Sequence, residues 1–332
     1  LIEKGICAVI DDPLLHNDWH PVASIHELQT APLLRRRLLG EELLVWQTGD
    51  AIQVWRDLCL HRGARLSAGQ VVDGCLACPY HGWRYDQSGA CIHIPAHPEQ
   101  TPPVKAKVKS YPVAIRYNLV WTCLGEPTNE APPFPEWGQP GFAAAVCGPF
   151  ASVRAHGPRI IENFLDATHF AFVHAGILGD PEHAEIGEYE VRIEADGVFS
   201  TPVAVYQPNP YGDRSGNVQY SYNVFRPLTA HFTKKSPNAT NGLLLVVTPC
   251  DELDSTAWFV VATSTVSDAE RLRVEYTPRI GAIFEQDRAI IESQRPELLP
   301  LDLQAELHLR SDRMAIGYRT WLRRLGLRYG AA

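Results

Sequence analysis

The sequence predicts an α+β protein in two parts, a small all-β domain followed by an antiparallel-sheet domain with flanking helices. Three observations predict it. Residues 43–125 are short β-rich runs punctuated by turns, residues 126–149 are rich in Pro and Gly, and the second half runs from a helical pattern through alternating strands to two more helical stretches.

The first part begins with an entry segment carrying Trp19, His20 and Pro21. The runs Leu43 to Gln47, Ile52 to Arg56, Val71 to Leu76 and Val120 to Leu124 hold the β-formers, and Gly49-Asp50, Asp73-Gly74 and Ser88-Gly89 supply turns. Pro132, Pro133, Pro135 and Pro140 argue against long regular structure between the two parts. The expected domains are therefore 1–126 and 151–332, joined by a connection over 127–150. In the second part a helix is expected from Arg159 to Val173. Strands are expected at Tyr189 to Ile193, Gln219 to Phe225, Leu243 to Val247 and Trp258 to Thr263, then helices near Ile280 to Ser293 and Gln304 to Leu325.

Composition narrows the function. The 332 residues carry 30 Lys and Arg against 38 Asp and Glu, a net charge of -8 that repels nucleic acid and anionic membrane. The short basic run Arg35, Arg36 and Arg37 reads as a solvated face. No apolar run approaches the roughly 20 residues of a membrane helix, and no secretory signal opens the chain. The sole methionine is Met314, so trimming upstream is expected. Eight cysteines in this length do not suggest a disulfide framework, and two of them sit in a tight Cys/His cluster. The cytoplasm is the expected compartment.

That cluster is Cys59-Leu-His61 and Cys78-Pro-Tyr-His81, two ligand pairs separated by 16 residues. In a Rieske [2Fe–2S] centre two cysteines hold one iron and two histidines the other, and the neutral imidazoles raise the reduction potential. Two hairpin tips could each present one pair. A tetrahedral zinc site uses the same ligand types, but zinc modules more often pair Cys with Cys and His with His.

A second constellation lies in the segment Glu162 to His174. Read as a helix, it places Asn163, Asp166 and His169 on one face among Phe164, Leu165, Phe170 and Phe172. A polar stripe in apolar surroundings is costly unless something binds it. His174 lies about 140° around an ideal helix from His169, so the helix must end or distort between them if both bind one ion. Two histidines and one carboxylate form the facial triad of non-haem Fe(II) oxygenases, with positions open for O2 and substrate. Spacing alone leaves Glu285, Asp287 and Glu292 as candidate carboxylates.

The strings CLHRGARL and CPYHGWRYDQSG resemble the Rieske signature of ring-hydroxylating and demethylating oxygenases, and N-x2-D-x2-H-x4-H resembles their iron-site helix. CPYHGWRYD, DATHFAFVHAGILGDP, IIESQRP and IGYRTWLRRL look most like the caffeine-type N-demethylases, and the resemblance covers most of the chain. It implies a catalytic domain of the helix-grip type, with mononuclear iron on His169, His174 and Asp287 and the [2Fe–2S] cluster on Cys59, His61, Cys78 and His81. It further implies that Gly63 and Gly82 allow the backbone close to the cluster, that Trp83 covers it, and that Asn163 lies near the iron. Asp166 would bridge His169 to His81 of a neighbouring subunit, in a homo-oligomer of trimeric form. The family more often has an acidic residue where Gln286 stands.

The implied activity is that of a terminal oxygenase acting on a small aromatic or N-heterocyclic substrate, with N- or O-demethylation or plain hydroxylation as outcome. No dinucleotide or flavin fingerprint is found, so NAD(P)H is expected to act only through a separate reductase or ferredoxin. Lys105, Lys107 and Lys109 alternate along an expected strand, as a solvated edge or a face for an acidic donor. The rival of another class is a Rieske electron carrier with a non-catalytic binding domain.

Overall fold

The computed structural model describes residues 9–210 and 215–332, and its contacts divide the chain into two compact units, 1–131 and 132–332. All strand pairs in both units' sheets are antiparallel. The fold is the α+β class read from the sequence, an all-β unit ahead of an antiparallel-sheet unit with few helices.

Among its described residues the first unit holds three small sheets. One joins Leu33–Leu38, Glu41–Thr48, Ala51–Arg56 and Ser110–Tyr111; a second stacks the short strands Gln70–Val72, Cys75–Ala77, Arg84–Tyr85 and Cys91–His93. The third pairs His20–Ser24 and Val113–Arg116 with Leu119–Thr122. The run Val71 to Leu76 is thus two strands, reversed at Asp73 and Gly74, whose φ values of 51° and 75° fit a tight hairpin turn. Trp46 and Trp55 meet edge to face at 4.8 Å in a core that also contains Cys59, Cys78 and Tyr85. Arg35 and Arg37 both pair with Glu42, and Arg36 pairs with Glu27. Lys105, Lys107 and Lys109 alternate outward, but from a turn at Lys105 and irregular chain with one isolated bridge at Lys107 rather than from the expected strand.

The second unit is built on an eight-stranded sheet. Gly216–Arg226, Thr229–Lys235, Thr240–Pro249 and Ser255–Thr263 form a meander, and Ala143–Val153 adds beside the last of them. Residues 143–150, expected in the connection, are therefore strand: the run Ala143 to Cys147 is free of proline and pairs with Ser255–Thr263, and the register shifts past Pro149 before pairing resumes at Phe150. The short strands Val191–Glu194, Gly197–Ser200 and Val203–Gln207 extend the other side.

Two helix boundaries differ from expectation. The long helix is Ala269–Ile291 and begins well before Ile280; Asp268 caps it by accepting the Arg271 N–H, and packing on Ala143–Val153 offsets the backbone bond lost at internal Pro278. The last helix is Arg313–Leu325, since Gln304 to Leu309 are not helical, and it ends at Gly326 with φ 75°. No helix among the described residues is long and apolar enough to cross a membrane.

Candidate metal centres and the cavity beside them

In the first unit, two loops carry the Cys/His pairs. Gly63 N–H donates back to the Cys59 carbonyl at 2.9 Å, and Gly82 N–H to the Cys78 carbonyl at 3.0 Å. Both glycines have positive φ, 71° and 70°, and a Cβ at Gly63 would touch only Leu58 at 3.7 Å. At that position the backbone angle, rather than crowding, requires glycine.

The two loops set thiols and imidazoles apart. Cys59 and Cys78 are buried, while His61 is half-buried and His81 exposed. The Nδ1 atoms of His61 and His81 face one another at 3.1 Å, and Trp83 stacks on His61 with centroids 4.6 Å apart. Tyr85 O–H lies 3.2 Å from Cys59 Sγ, placed to donate to the sulfur. Burial raises the Cys78 thiol, with Cys59 adding to the rise. A single zinc ion would draw all four donor atoms together. Among the described residues, the group whose donor atoms lie within 4.8 Å of one another is instead His169, His174 and Asp287. Inner sulfurs and outer imidazoles suit a cluster with one iron on each side.

In the second unit, the expected helix from Arg159 to Val173 is two helices, Gly157–Leu165 and Phe170–Val173. Asp166 breaks it: its Oδ1 accepts the Thr168 N–H at 2.7 Å and the Thr168 hydroxyl at 2.5 Å, a local turn that competes with helical bonding. The single helical face assumed for Asn163, Asp166 and His169 does not exist. The break instead swings His169 to the start of the short helix and His174 to its end. Gly179 supports that helix from below, since a Cβ there would lie 2.6 Å from the Ala171 nitrogen.

His169 Nε2 and His174 Nε2 are 3.2 Å apart, and Asp287 Oδ1 lies 3.3 Å and 3.0 Å from them. Although that close, Asp287 Oδ1 is not aligned to accept a hydrogen bond and is buried. Three donor atoms aimed at one point, with an orphaned carboxylate oxygen among them, fit a metal ion better than a hydrogen-bond network. The opposite ring nitrogens are held: His169 Nδ1 lies 3.2 Å from Asp166 Oδ2, and His174 Nδ1–H donates to Gln286 Oε1 at 2.8 Å. Gln286 is a partner that the sequence did not reveal, because its role shows only once His174 is placed beside the long helix. Asp287 is in the triad; Glu285 pairs with Arg288 at 3.0 Å, and Glu292 accepts from the Arg154 N–H.

Electrostatics follow this geometry. Burial disfavours charge on His169, but Asp166 and Asp287 outweigh it and raise its pKa to about 9. Burial likewise opposes ionisation of Asp287 and Asp166; His169 and His174 hold the first below its usual value, and His169 and Thr168 the second. Behind the site, Glu162 pairs with Arg319 at 2.5 Å, tying the Gly157–Leu165 helix to the last helix, and Arg159 pairs at 2.9 Å with Glu306 on the segment before that helix.

A cavity of about 140 Å³ opens on the triad, with Asn163, His169, His174 and Asp287 in its wall. Tyr220 and Phe232 line it, whereas Tyr222 lies buried outside the lining and Tyr206 stacks on His183. Between the strands that supply this wall, residues 211–214 lie outside the described residues.

Family models match both units: the Rieske [2Fe-2S] domain over residues 18–112 and the vanillate O-demethylase oxygenase C-terminal domain over residues 153–328. One chain with both, in this order, is an oxygenase that couples an iron–sulfur relay to a non-haem iron. The chain belongs to the Rieske oxygenases and is a terminal oxygenase of that family, an oxidoreductase using a [2Fe–2S] cluster, non-haem iron and O2. It is similar to the methylxanthine N1-demethylase NdmA of Pseudomonas putida, 34% identical over 96% of this chain and 92% of that protein. It is also similar to the N3-demethylase NdmB of the same organism, at 28% over 96% and 91%. The structure of P. putida NdmA with caffeine superposes with a TM-score of 0.79 at 32% identity, covering 94% of this chain and 91% of the other.

Proposed function

We propose that this oxygenase removes a methyl group from nitrogen or oxygen of a small aromatic or N-heterocyclic compound. The observation that carries the reading is the His169–His174–Asp287 triad in the wall of a cavity sized for one small ring. Cys59, His61, Cys78 and His81 would hold the [2Fe–2S] cluster, and the triad the mononuclear iron. When bound, these metals supply electron storage and O2 activation.

The protein residues do the rest. Asp166 and Gln286 fix the two imidazoles with Nε2 free to bind metal. The Gly157–Leu165 helix, anchored by Glu162, brings Asn163 to the cavity wall. Aromatic walls exclude water and seat the ring. One oxygen atom enters a methyl C–H bond and the other leaves as water, with two electrons and two protons consumed; the resulting hemiaminal or hemiacetal expels formaldehyde and regains an N–H or O–H. Electrons come from a separate reductase or ferredoxin. Asp166 would carry them from His81 of a neighbouring subunit in a homotrimer. The working domains are the Rieske part over 1–126 and a catalytic part that takes in the strand Ala143–Val153 and runs to 332.

The purified protein should contain about three irons per chain, two in the cluster and one alone. Given a generic reductase and a panel of methylated rings, it should release formaldehyde in step with O2 consumed. Hydroxylated product without formaldehyde would replace demethylation with ring or alkyl hydroxylation, and cluster iron alone would reduce the protein to a carrier.

A further inference from the structure

The segment from Val104 to Lys109 has two faces. Ala106 and Val108 are buried in the same core as Cys59, Cys78 and Tyr85, whereas Lys105, Lys107 and Lys109 are exposed on the other side. Backbone bonds fix it there: Cys91 N–H donates to the Ala106 carbonyl and Val108 N–H to the Gly89 carbonyl, both at 2.8 Å, flanking the bridge between Ala90 and Lys107. Continuing that register sets Ile92 beside Lys105. Ile92 and Val104 are large apolar side chains left exposed at 48% and 99%.

These cations differ from the other basic run. Arg35 and Arg37 pair with Glu42 and Arg36 with Glu27, so their charge is met within the protein. Among the described residues Lys105, Lys107 and Lys109 make no ion pair, and Lys109 lies over the Tyr111 ring at 4.8 Å. On a chain of net charge -8, three unneutralised cations beside two exposed apolar side chains match an acidic surface with an apolar centre.

The place of this face says what such a partner brings. Beneath it Cys91 lies opposite Tyr85 on the neighbouring strand, and the Tyr85 hydroxyl is 3.2 Å from Cys59 Sγ. The way inward from Ala106 is therefore Cys91, Tyr85 and a cysteine of the cluster site. A relay needs one place of entry and another of exit, and the exit under Proposed function is His81.

We infer that Lys105, Lys107 and Lys109, with Ile92 and Val104, form the docking face for the electron donor, and that the donor is an acidic electron-transfer protein. One electron leaves the donor's reduced centre and takes one ferric iron of the cluster to ferrous, with no bond made or broken. The inference rests on the separate donor set out under Proposed function and names where that partner binds.

The test uses the full chain with its cluster, and a plant-type [2Fe–2S] ferredoxin of strongly negative net charge as the probe. Rapid-freeze spin resonance follows electron transfer from the reduced ferredoxin, and calorimetric titration with the oxidised form gives affinity. Lys105→Glu combined with Lys107→Glu should slow transfer and weaken binding at least about tenfold at low salt, and the wild-type advantage should fade as salt rises. Lys105→Arg combined with Lys107→Arg should behave as wild type. Arg323→Glu combined with Arg324→Glu, exposed on the last helix, makes the same change in net charge and should have no such effect. The spectrum of the dithionite-reduced cluster checks the folding of each variant.

A Lys→Glu variant that matches wild type, an equal loss from the Arg→Glu variant, or a wild type that does not bind the ferredoxin at low salt overturns the inference and leaves the oxygenase reading standing. A Lys→Glu variant whose oligomeric state changes in sedimentation, with donor binding intact, gives the face to a neighbouring copy and also overturns it. A cluster that dithionite cannot reduce overturns the relay itself, and the docking face with it.

Discussion

His174 Nδ1 and Gln286 Oε1 are 2.8 Å apart, so a neutral amide fixes the imidazole beside the Asp287 carboxylate. The amide oxygen accepts the Nδ1 proton and leaves Nε2 with its lone pair toward the triad. Gln286→Leu should weaken iron binding by about 10- to 100-fold, the usual effect of losing such a support. Iron content after dialysis against graded chelator measures it, and full retention would show that the ring is held by packing alone.

His169→Ala should lower iron from about three to about two per chain with the cluster's absorption and spin-resonance signals unchanged. Loss of the cluster signal as well would show that the second unit supports the first.

Asp166→Asn keeps the side chain's size but removes its charge next to His169. Both metals should stay bound while cluster-to-iron electron transfer slows severely in single-turnover experiments. Wild-type rates with full metal content would remove Asp166 from the electron path.

Tyr85→Phe deletes the hydroxyl 3.2 Å from Cys59 Sγ. Hydrogen bonds to cluster sulfurs raise the potential, so the variant's midpoint potential should fall. Protein-film voltammetry reads the change, and an unchanged potential would assign the hydroxyl to packing.

Glu136 is buried against the sheet, accepting from Thr233 at 2.6 Å and lying 2.9 Å from His231 Nε2. Burial opposes its ionisation, but His231 and Thr233 outweigh that and hold its pKa below the usual 4.5. A depressed carboxylate stabilises the fold above its unfolded pKa and loses that contribution as pH falls through the folded value. Melting temperature should therefore drop below pH 4.5, and more shallowly in Glu136→Gln. Glu136→Ala should cost about 3 kcal/mol at neutral pH, as for other buried pairs broken on one side. Parallel pH curves for wild type and Glu136→Gln would sink the account.

Local features were legible in the sequence and distant ones were not. Cys59 with His61, and Cys78 with His81, announce themselves because each pair sits within four residues on one loop. Three of the meander's four strands were legible because they alternate, whereas Thr229–Lys235, with His231, Lys234 and Lys235 among its residues, was not singled out. The break at Asp166 was missed because its cause is a side-chain turn to Thr168 that a periodicity does not register. Asp287 could not be chosen over Glu285 and Glu292 by spacing, since over a hundred residues separate it from the histidines it meets. Gln286 left only a departure from an acidic pattern.

The Ala269–Ile291 helix presents Arg279, Phe284 and Asp287 to one cavity, whereas the meander presents Phe232, Leu243 and Val261. The strands carry no member of the triad. Changing them redraws the chamber and spares the chemistry, while shifting the helix disturbs both at once. New preferences can therefore arise, in nature or in directed evolution, by drift among the strands, with the helix left in place.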